Sequence, residues 1–246
     1  MDPNKRTRLV STLGIVAVII VLAVVVVRFI GGIDSAFSGR LSFARRLSGS
    51  DTAAGATVAL DLPADPSGFS AISSVGGWRI TVREGEYDVA VRVSERSARD
   101  VRVEVRDGAL LLDVAPGMRT VAGTLEATVS LPRLDRLEID GGAEVRLDEV
   151  ESDGLAVDVD GAASITASGG RYGRLEVEVD GAANVDFADT AVFDANIDLD
   201  GASNLSITMA GGTLSGYLRG VGNVSYGGEV ADESVRVEGL GTVRAR

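Results

Sequence analysis

The feature that most constrains this chain is a short glycine-centred motif that recurs six times between Leu137 and Val243. The leading glycines of the six copies are Gly141, Gly161, Gly181, Gly201, Gly220 and Gly239, at successive steps of 20, 20, 20, 19 and 19 residues. A fixed period of this length is typical of architectures in which each repeat stacks on the one before it.

Apolar residues alternate with polar ones on both sides of each glycine. In the second copy, Leu155, Val157 and Val159 precede the glycine and Ile165 follows it. Period-two alternation predicts strands with one buried face, and the glycine predicts a corner where a Cβ atom does not fit or φ is positive. The pattern therefore predicts an all-β fold, a right-handed parallel β-helix (solenoid) of ~20-residue rungs over residues 137–246.

The N-terminal region predicts a membrane anchor. Residues 1–8 are basic through Lys5, Arg6 and Arg8, and residues 9–30 are almost wholly apolar. About 20 helical residues span the ~30 Å hydrocarbon core of a bilayer. A cleaved signal peptide is the alternative, but its apolar region is normally only about 7–15 residues long and ends in a small-residue cleavage site.

The positive-inside rule then orients the chain. Residues 1–8 become a cytoplasmic tail, and residues 9–30 become one transmembrane signal anchor in the cytoplasmic membrane. Residues 31–55, which are rich in Gly, Ser and Ala, become a juxtamembrane linker. Everything beyond the linker is expected to be extracytoplasmic, in the periplasm or at the cell surface.

Residues 56–136 show strand alternation without the 20-residue repeat. The candidate strands are Val58–Leu62, Phe69–Val75, Trp78–Arg83, Tyr87–Val93, Val101–Arg106, Ala109–Val114 and Leu125–Leu131. We interpret Gly76-Gly77 as a turn and Asp107-Gly108 as a two-residue hairpin connection. This part is predicted to cap one end of the stack, and the weakening of the motif toward Arg246 predicts that the last rungs close the other end.

Composition excludes several kinds of chemistry. The chain has no cysteine and no histidine, which removes disulfides, thiolate metal sites and imidazole bases. Its only lysine is Lys5, and its formal net charge is −12. An acidic surface of this kind repels nucleic acid and anionic lipid.

Four segments of the chain together resemble a known family. They are Phe69-Ser-Ala-Ile-Ser-Ser-Val, Ile80-Thr-Val-Arg-Glu-Gly, Ala109-Leu-Leu-Leu-Asp-Val and Val129-Ser-Leu-Pro-Arg-Leu-Asp-Arg-Leu-Glu-Ile-Asp-Gly-Gly-Ala-Glu-Val. Followed by the glycine repeats, this order resembles the putative auto-transporter adhesin head domain called GIN, found in bacterial envelope proteins. The resemblance covers about residues 69–243. It implies a β-helical domain outside the cytoplasmic membrane, with no assigned enzymatic activity and no catalytic residues to transfer.

An aspartate precedes the leading glycine in the first four copies. The four residues are Asp140, Asp160, Asp180 and Asp200. Rungs spaced ~4.8 Å apart would bring neighbouring carboxylates close enough to repel by ~0.9 kcal/mol in water and ~3.5 kcal/mol at an effective dielectric constant near 20. Ca²⁺ between the rungs would relieve this repulsion, but Asp-Gly is also ordinary corner chemistry, which we favour.

Two further patterns complete the set of candidate sites. A polar ladder lies three residues after successive glycines, at Ser164, Asn184, Asn204 and Asn223. Its members are expected to hydrogen-bond along the stack, with a polar ligand groove as the alternative. A second acidic row runs through Asp158, Glu178 and Asp198 on the same outward parity as the aspartates. Arg171, Tyr172 and Arg174 are interpreted as a loop that interrupts the acidic surface.

These observations favour a non-enzymatic role. The sequence predicts an adhesin-like or envelope-scaffold module that binds a protein or an envelope polymer at the cell surface, without a cofactor. One alternative is a polysaccharide-modifying β-helix enzyme that uses paired carboxylates. The chain has one tryptophan and four tyrosines and no aromatic cluster of the kind that lines sugar-binding grooves. The other alternative is a Ca²⁺-dependent structural module.

Overall fold

The computed structural model describes residues 57–60, 62, 66–115 and 125–246, all within the compact unit Thr52–Arg246. These residues form ten β-strands and no α-helix. The strands are β1 (Thr57–Ala59), β2 (Ala71–Glu84), β3 (Asp88–Ser94), β4 (Val101–Arg106), β5 (Ala109–Val114), β6 (Leu125–Leu131), β7 (Arg136–Asp148), β8 (Ser152–Ala210), β9 (Thr213–Glu229) and β10 (Asp232–Ala245). The all-β prediction is confirmed for this part of the chain.

The predicted tail, transmembrane anchor and linker at residues 1–8, 9–30 and 31–55 lie outside the described residues. Within the described part, no helix is long and apolar enough to cross a membrane.

Long parallel strands pair in one continuous register. β7 pairs with the start of β8 at a step of 20 residues, so that Gly141 faces Gly161. β8 pairs with β9, and β9 with β10, at a step of 19 residues, which aligns Gly201, Gly220 and Gly239. The repeat read from the sequence is therefore the register of the sheet.

The aligned glycines adopt a backbone conformation that L side chains rarely adopt. Gly181 has a φ of +137°, and a Cβ atom placed on it would collide with the backbone carbonyl oxygen of Gly161. Gly201 stands in the same relation to Gly181. Missing side chains thus let each corner approach the corner of the preceding rung.

This geometry predicts a large cost for one added methyl group. Gly181→Ala should destabilise the protein by about 2–4 kcal/mol, because positive φ and a clash with immobile backbone act together. Gly154→Ala is the matched control, since a Cβ atom at that position meets nothing within 4 Å. Chemical denaturation of the full-length chain measures both variants, and similar stabilities would contradict the corner interpretation.

One sequence interpretation was wrong at the start of the stack. Gly76-Gly77 is not a turn between two strands, because β2 runs through it without a break from Ala71 to Glu84. Gly76 has a φ of +105° and aligns with Gly141 of β7. It is therefore a corner glycine in a strand that pairs with β7 before the recognisable repeat begins.

The other edge of β2 is covered by two shorter strands. β5 pairs with its first residues and β6 with its last residues, both in parallel. β3 then adds antiparallel to β6, β1 adds antiparallel to β3, and β4 adds antiparallel to β5. The predicted Asp107-Gly108 hairpin is confirmed, with both residues at positive φ between β4 and β5.

The core is a column of side chains from alternate strand positions. Leu155, Val157, Val159 and Ile165 are all buried, as the alternation predicts. Tyr172 corrects the predicted loop, because it lies within β8 and is fully buried, with its ring 5.3 Å from that of Phe187 in an edge-on arrangement. Burial raises the pKa of the Tyr172 phenol.

The last rung also departs from the prediction. β10 is the final strand in the sheet order and pairs with β9 on one side. Its Val237 is 40% exposed, whereas the aligned Leu218 of β9 is buried. In the described residues the stack is therefore left open at β10 rather than closed by its last rungs.

Candidate functional site

The predicted aspartate ladder lies on the outer surface of the stack, beside the glycine corners. Asp140 aligns with Asp160 across β7 and β8, and the stacked corner glycines carry the same register on through β8. Asp140, Asp160, Asp180 and Asp200 are all exposed. The ladder is thus a straight edge of carboxylates held by backbone pairing rather than by contacts among the side chains.

The ladder ends at a basic residue. Arg219 of β9 aligns with Asp200, and its Nη1 donates to Oδ1 of Asp198 at 2.6 Å. Its Nε lies 3.7 Å from a carboxylate oxygen of Glu238, and its guanidinium packs over the ring of Tyr217 at 4.6 Å. The bond to Asp198 raises the pKa of Arg219. One end of the acidic edge is therefore neutralised and the rest faces solvent.

An open depression lies beside the start of the ladder. It has a volume of about 390 Å³ and is lined by Ser73, Glu138, Ile139, Asp140, Asp158 and Asp160. The first member of the second acidic row, Asp158, therefore lies next to the ladder. Among the described residues, no three carboxylates converge closely enough to hold a metal ion.

The polar ladder forms hydrogen bonds along the end of the stack. Nδ2 of Asn223 donates to Oδ1 of Asn204 at 3.2 Å. The hydroxyl of Thr242 donates to Oδ1 of Asn223 at 2.8 Å. These bonds join three successive rungs, in agreement with the predicted structural role of the ladder.

A cross-strand ion-pair network balances charge at the other end of the stack. Arg79 of β2 lies between Glu126 of β6 and Glu144 of β7, with N–O distances of 2.8 and 3.2 Å. Arg146 donates to the same Glu144 at 3.1 Å. Burial alone would raise the pKa of Glu144, but the hydrogen bonds from Arg79 and Arg146 outweigh it and lower that pKa.

The network predicts a pH-dependent stability. Because the folded pKa of Glu144 lies below its ordinary value of 4.5, its stabilising contribution is complete above that value and is lost as the pH falls through the folded pKa. Glu144→Gln should cost about 0.5–1 kcal/mol at pH 7. Chemical denaturation should show the difference from wild type shrinking steadily below pH 4.5.

Glu86→Gln is the control, because Glu86 is exposed and forms no ion pair within the described residues. Its stability should match wild type throughout. A Glu144→Gln deficit that stays constant with pH would mean that packing, not charge, carries the effect.

The ladder predicts opposite effects for two aspartates on adjacent rows. Asp180→Asn should be neutral or stabilising, because it removes a carboxylate between two others. Asp198→Asn should cost up to about 1 kcal/mol, because it removes the acceptor of Arg219. Thermal melts in EDTA and in millimolar Ca²⁺ measure both. A destabilised Asp180→Asn, or a wild-type melting temperature several degrees higher in Ca²⁺, would favour a metal at the ladder.

A second depression was not anticipated from the sequence. It has a volume of about 190 Å³, lies between β8 and β9, and is lined in part by Arg174, Glu176 and Asp194. The backbone N–H and the hydroxyl of Thr213 both donate to Oδ1 of Asp194 at 2.9 Å, which lowers the pKa of Asp194. The sequence signal was the 19-residue step from Asp194 to Thr213, which equals the repeat.

The lone tryptophan lies in the interior. Trp78 is 3% exposed, and its indole Nε1–H donates to the carbonyl of Val75 at 3.0 Å. It therefore packs in the core of the early stack and presents no aromatic face to a ligand.

The family comparison agrees with the order of these elements. The model of the family described as "Putative auto-transporter adhesin, head GIN domain" matches residues 68–230. The chain belongs to this family. The match begins just before β2 and ends between β9 and β10. The predicted resemblance is thereby confirmed.

Solved structures with the same fold come from gut bacteria. A protein titled a putative adhesin from Bacteroides fragilis NCTC 9343 aligns with a TM-score of 0.59 and 15% identity, covering 78% of this chain and 97% of that one. Another putative adhesin, from Parabacteroides distasonis ATCC 8503, aligns with a TM-score of 0.50 and 16% identity, covering 78% and 98%. No curated protein matches the chain. At these identities the likeness concerns the fold.

Proposed function

We propose that this GIN-domain chain is a non-enzymatic, adhesin-like or envelope-scaffold binding module that acts at the exterior of the cell. The observation that carries the proposal is the straight, exposed aspartate edge, which backbone register holds rigidly along successive rungs. A rigid, repetitive surface suits an extended partner, because many equivalent weak contacts add along its length. The adhesin description of the family supports the same conclusion.

We infer that the stack is a right-handed parallel β-helix. The support is that each strand residue pairs in parallel with a residue 19 or 20 positions away, while alternate side chains enter one common core. The hand follows from the general preference of parallel β connections for right-handed crossovers.

The environments of the carboxylates argue for binding rather than catalysis. Glycosidases and related enzymes set two carboxyl groups in different surroundings, so that one acts as acid and the other as base or nucleophile. The ladder aspartates instead occupy equivalent exposed positions beside equivalent glycine corners. Such equivalence is suited to repeated contacts with a partner.

Charge indicates the kind of partner. The chain has a formal net charge of −12, and the ladder concentrates acidic groups on one edge. A protein or envelope polymer that carries cationic groups complements this edge, whereas nucleic acid and anionic lipid are repelled. The contact should weaken with salt, because exposed charges are screened over about 10 Å at 0.1 M ionic strength.

Location at the membrane is part of the proposal. The apolar residues 9–30 are proposed as a single-pass anchor in the cytoplasmic membrane, with residues 1–8 inside and the described strands outside. The anchor would hold the acidic edge near the envelope components that it binds.

A charge-matched binding experiment tests the function. The detergent-purified full-length chain is immobilised, and isolated envelope fractions are passed over it at rising salt. The test variant replaces Asp140, Asp160, Asp180 and Asp200 by Asn, and the control carries Glu86→Gln, Asp88→Asn, Glu95→Gln and Asp113→Asn. Both gain four positive units of charge at exposed positions.

We expect the ladder variant to lose about tenfold or more in envelope retention and the control to stay close to wild type. Equal losses would mean that net charge, not the ladder, governs binding. Undiminished binding by the ladder variant would contradict the proposal.

The same variants report location, because the natural chain has no cysteine. With Asn4→Cys or Asp113→Cys added, a membrane-impermeant maleimide applied to spheroplasts should label only the second. The reverse pattern would overturn the orientation without bearing on the ladder.

A further inference from the structure

The β10 strand presents an edge without a neighbour in the described sheet. It is the last strand in the sheet order and pairs only with β9 there, over all 14 residues from Asp232 to Ala245. A long free edge carries a row of unpaired N–H and C=O groups and is a template for another strand. β10 contains no proline that would block such pairing.

The end of the core beside this edge is also uncovered. Val237 continues the core position of the buried Leu218 but is 40% exposed, and Leu240 at the corner is 78% exposed. Val235 and Val243 occupy the same inward parity and are half-buried. Apolar exposure on a strand edge marks a contact surface.

We propose that β10 pairs with β10 of a second copy of this chain, antiparallel, about a two-fold axis at Gly239. This end-to-end dimer goes beyond the proposed envelope-binding function and does not depend on it. An isologous contact requires a surface that complements itself. β10 and the residue after it meet this requirement, since seven residues lie on each side of Gly239, from Asp232 to Glu238 and from Leu240 to Arg246.

The charges along the strand are self-complementary about that axis. The first arm begins with Asp232 and Glu233, and the second arm ends with Arg244 and Arg246. Reversal about Gly239 sets Asp232 opposite Arg246 of the other copy, and by symmetry this pair forms twice. Opposite charges directly across an antiparallel pair are stabilising.

The same register also matches the apolar positions. It places Val235 opposite Val243 and Val237 opposite Gly241, so that inward residues face inward residues and the two cores join. Leu240 and its symmetry mate come together diagonally across the axis, at a distance within reach of long side chains. The pairing therefore covers the most exposed large apolar side chain of the described residues.

The neighbouring registers are less favourable. Because faces must match, the register shifts by two residues in the pairing sum. One shift sets Glu238 against its own copy, and the other sets Arg236 against Arg244. Like charges directly opposite are destabilising, so charge selects the axis at Gly239.

The oligomeric state of the full-length chain in detergent tests the proposal. Sedimentation velocity over a range of concentrations should show a reversible dimer. Leu240→Glu should raise the dissociation constant at least about tenfold, because it sets four carboxylates around the axis. Its high exposure means that the fold should be retained, which circular dichroism checks.

Phe193→Glu is the matched control, since it changes an exposed apolar residue of β8 by the same charge. It should dimerise like wild type. Asp232→Arg should weaken the dimer by about threefold or more, and adding Arg246→Asp should restore it. Rescue by the double variant distinguishes a second copy from any other cover of the edge.

Cross-linking provides a readout that does not depend on variant stability. In the cysteine-free chain, Leu240→Cys should join two copies efficiently through a short bis-maleimide, and Phe193→Cys should not. A monomeric wild type would overturn the proposal, as would a dimer that ignores Leu240→Glu or fails to cross-link at position 240. Such a dimer would lie on another surface, such as residues 9–30.

Discussion

The stack depends on the close approach of backbone at its corners. At Gly161, Gly181 and Gly201, the space that a Cβ atom would fill is occupied by the carbonyl group of the preceding corner, and φ is positive at each. Only glycine meets both conditions at low cost. Once the corners align, every residue of a rung is aligned with a residue of the next. The core column, the asparagine bonds and the aspartate edge all follow from that one register.

Register imposes costs as well as contacts. It places like charges in line at the aspartates, where side-chain repulsion is tolerated because solvent screens exposed carboxylates. Elsewhere it brings opposite charges together, as where Arg79 bridges Glu126 and Glu144 across three strands. It also ends each stack in an edge. β5 and β6 cover the edge of β2, whereas β10 has no covering strand among the described residues.

Local patterns predicted local structure well. β4, β5 and β6 begin and end at the residues that alternation indicated, because strand faces and the Asp107-Gly108 turn are properties of neighbouring residues. Gly76-Gly77 misled, since two glycines between alternating runs are equally typical of a turn. Its role is visible only when β2 is paired with β7, and the intervening strands hide the 20-residue period. Tyr172 was misread because its charged neighbours suggested a loop.

The sequence by itself determined the all-β class, the repeat length, the family and the outward position of the aspartates. These follow from periodicity, which is written in one dimension. Tertiary structure decided which residues meet across rungs: that Arg219 turns to Asp198, that Asp194 binds Thr213, and that β10 stays uncovered. Such facts depend on side-chain direction and on long-range pairing, and no local pattern encodes either. Physically, alternation sets which face is buried, but only packing sets what covers it.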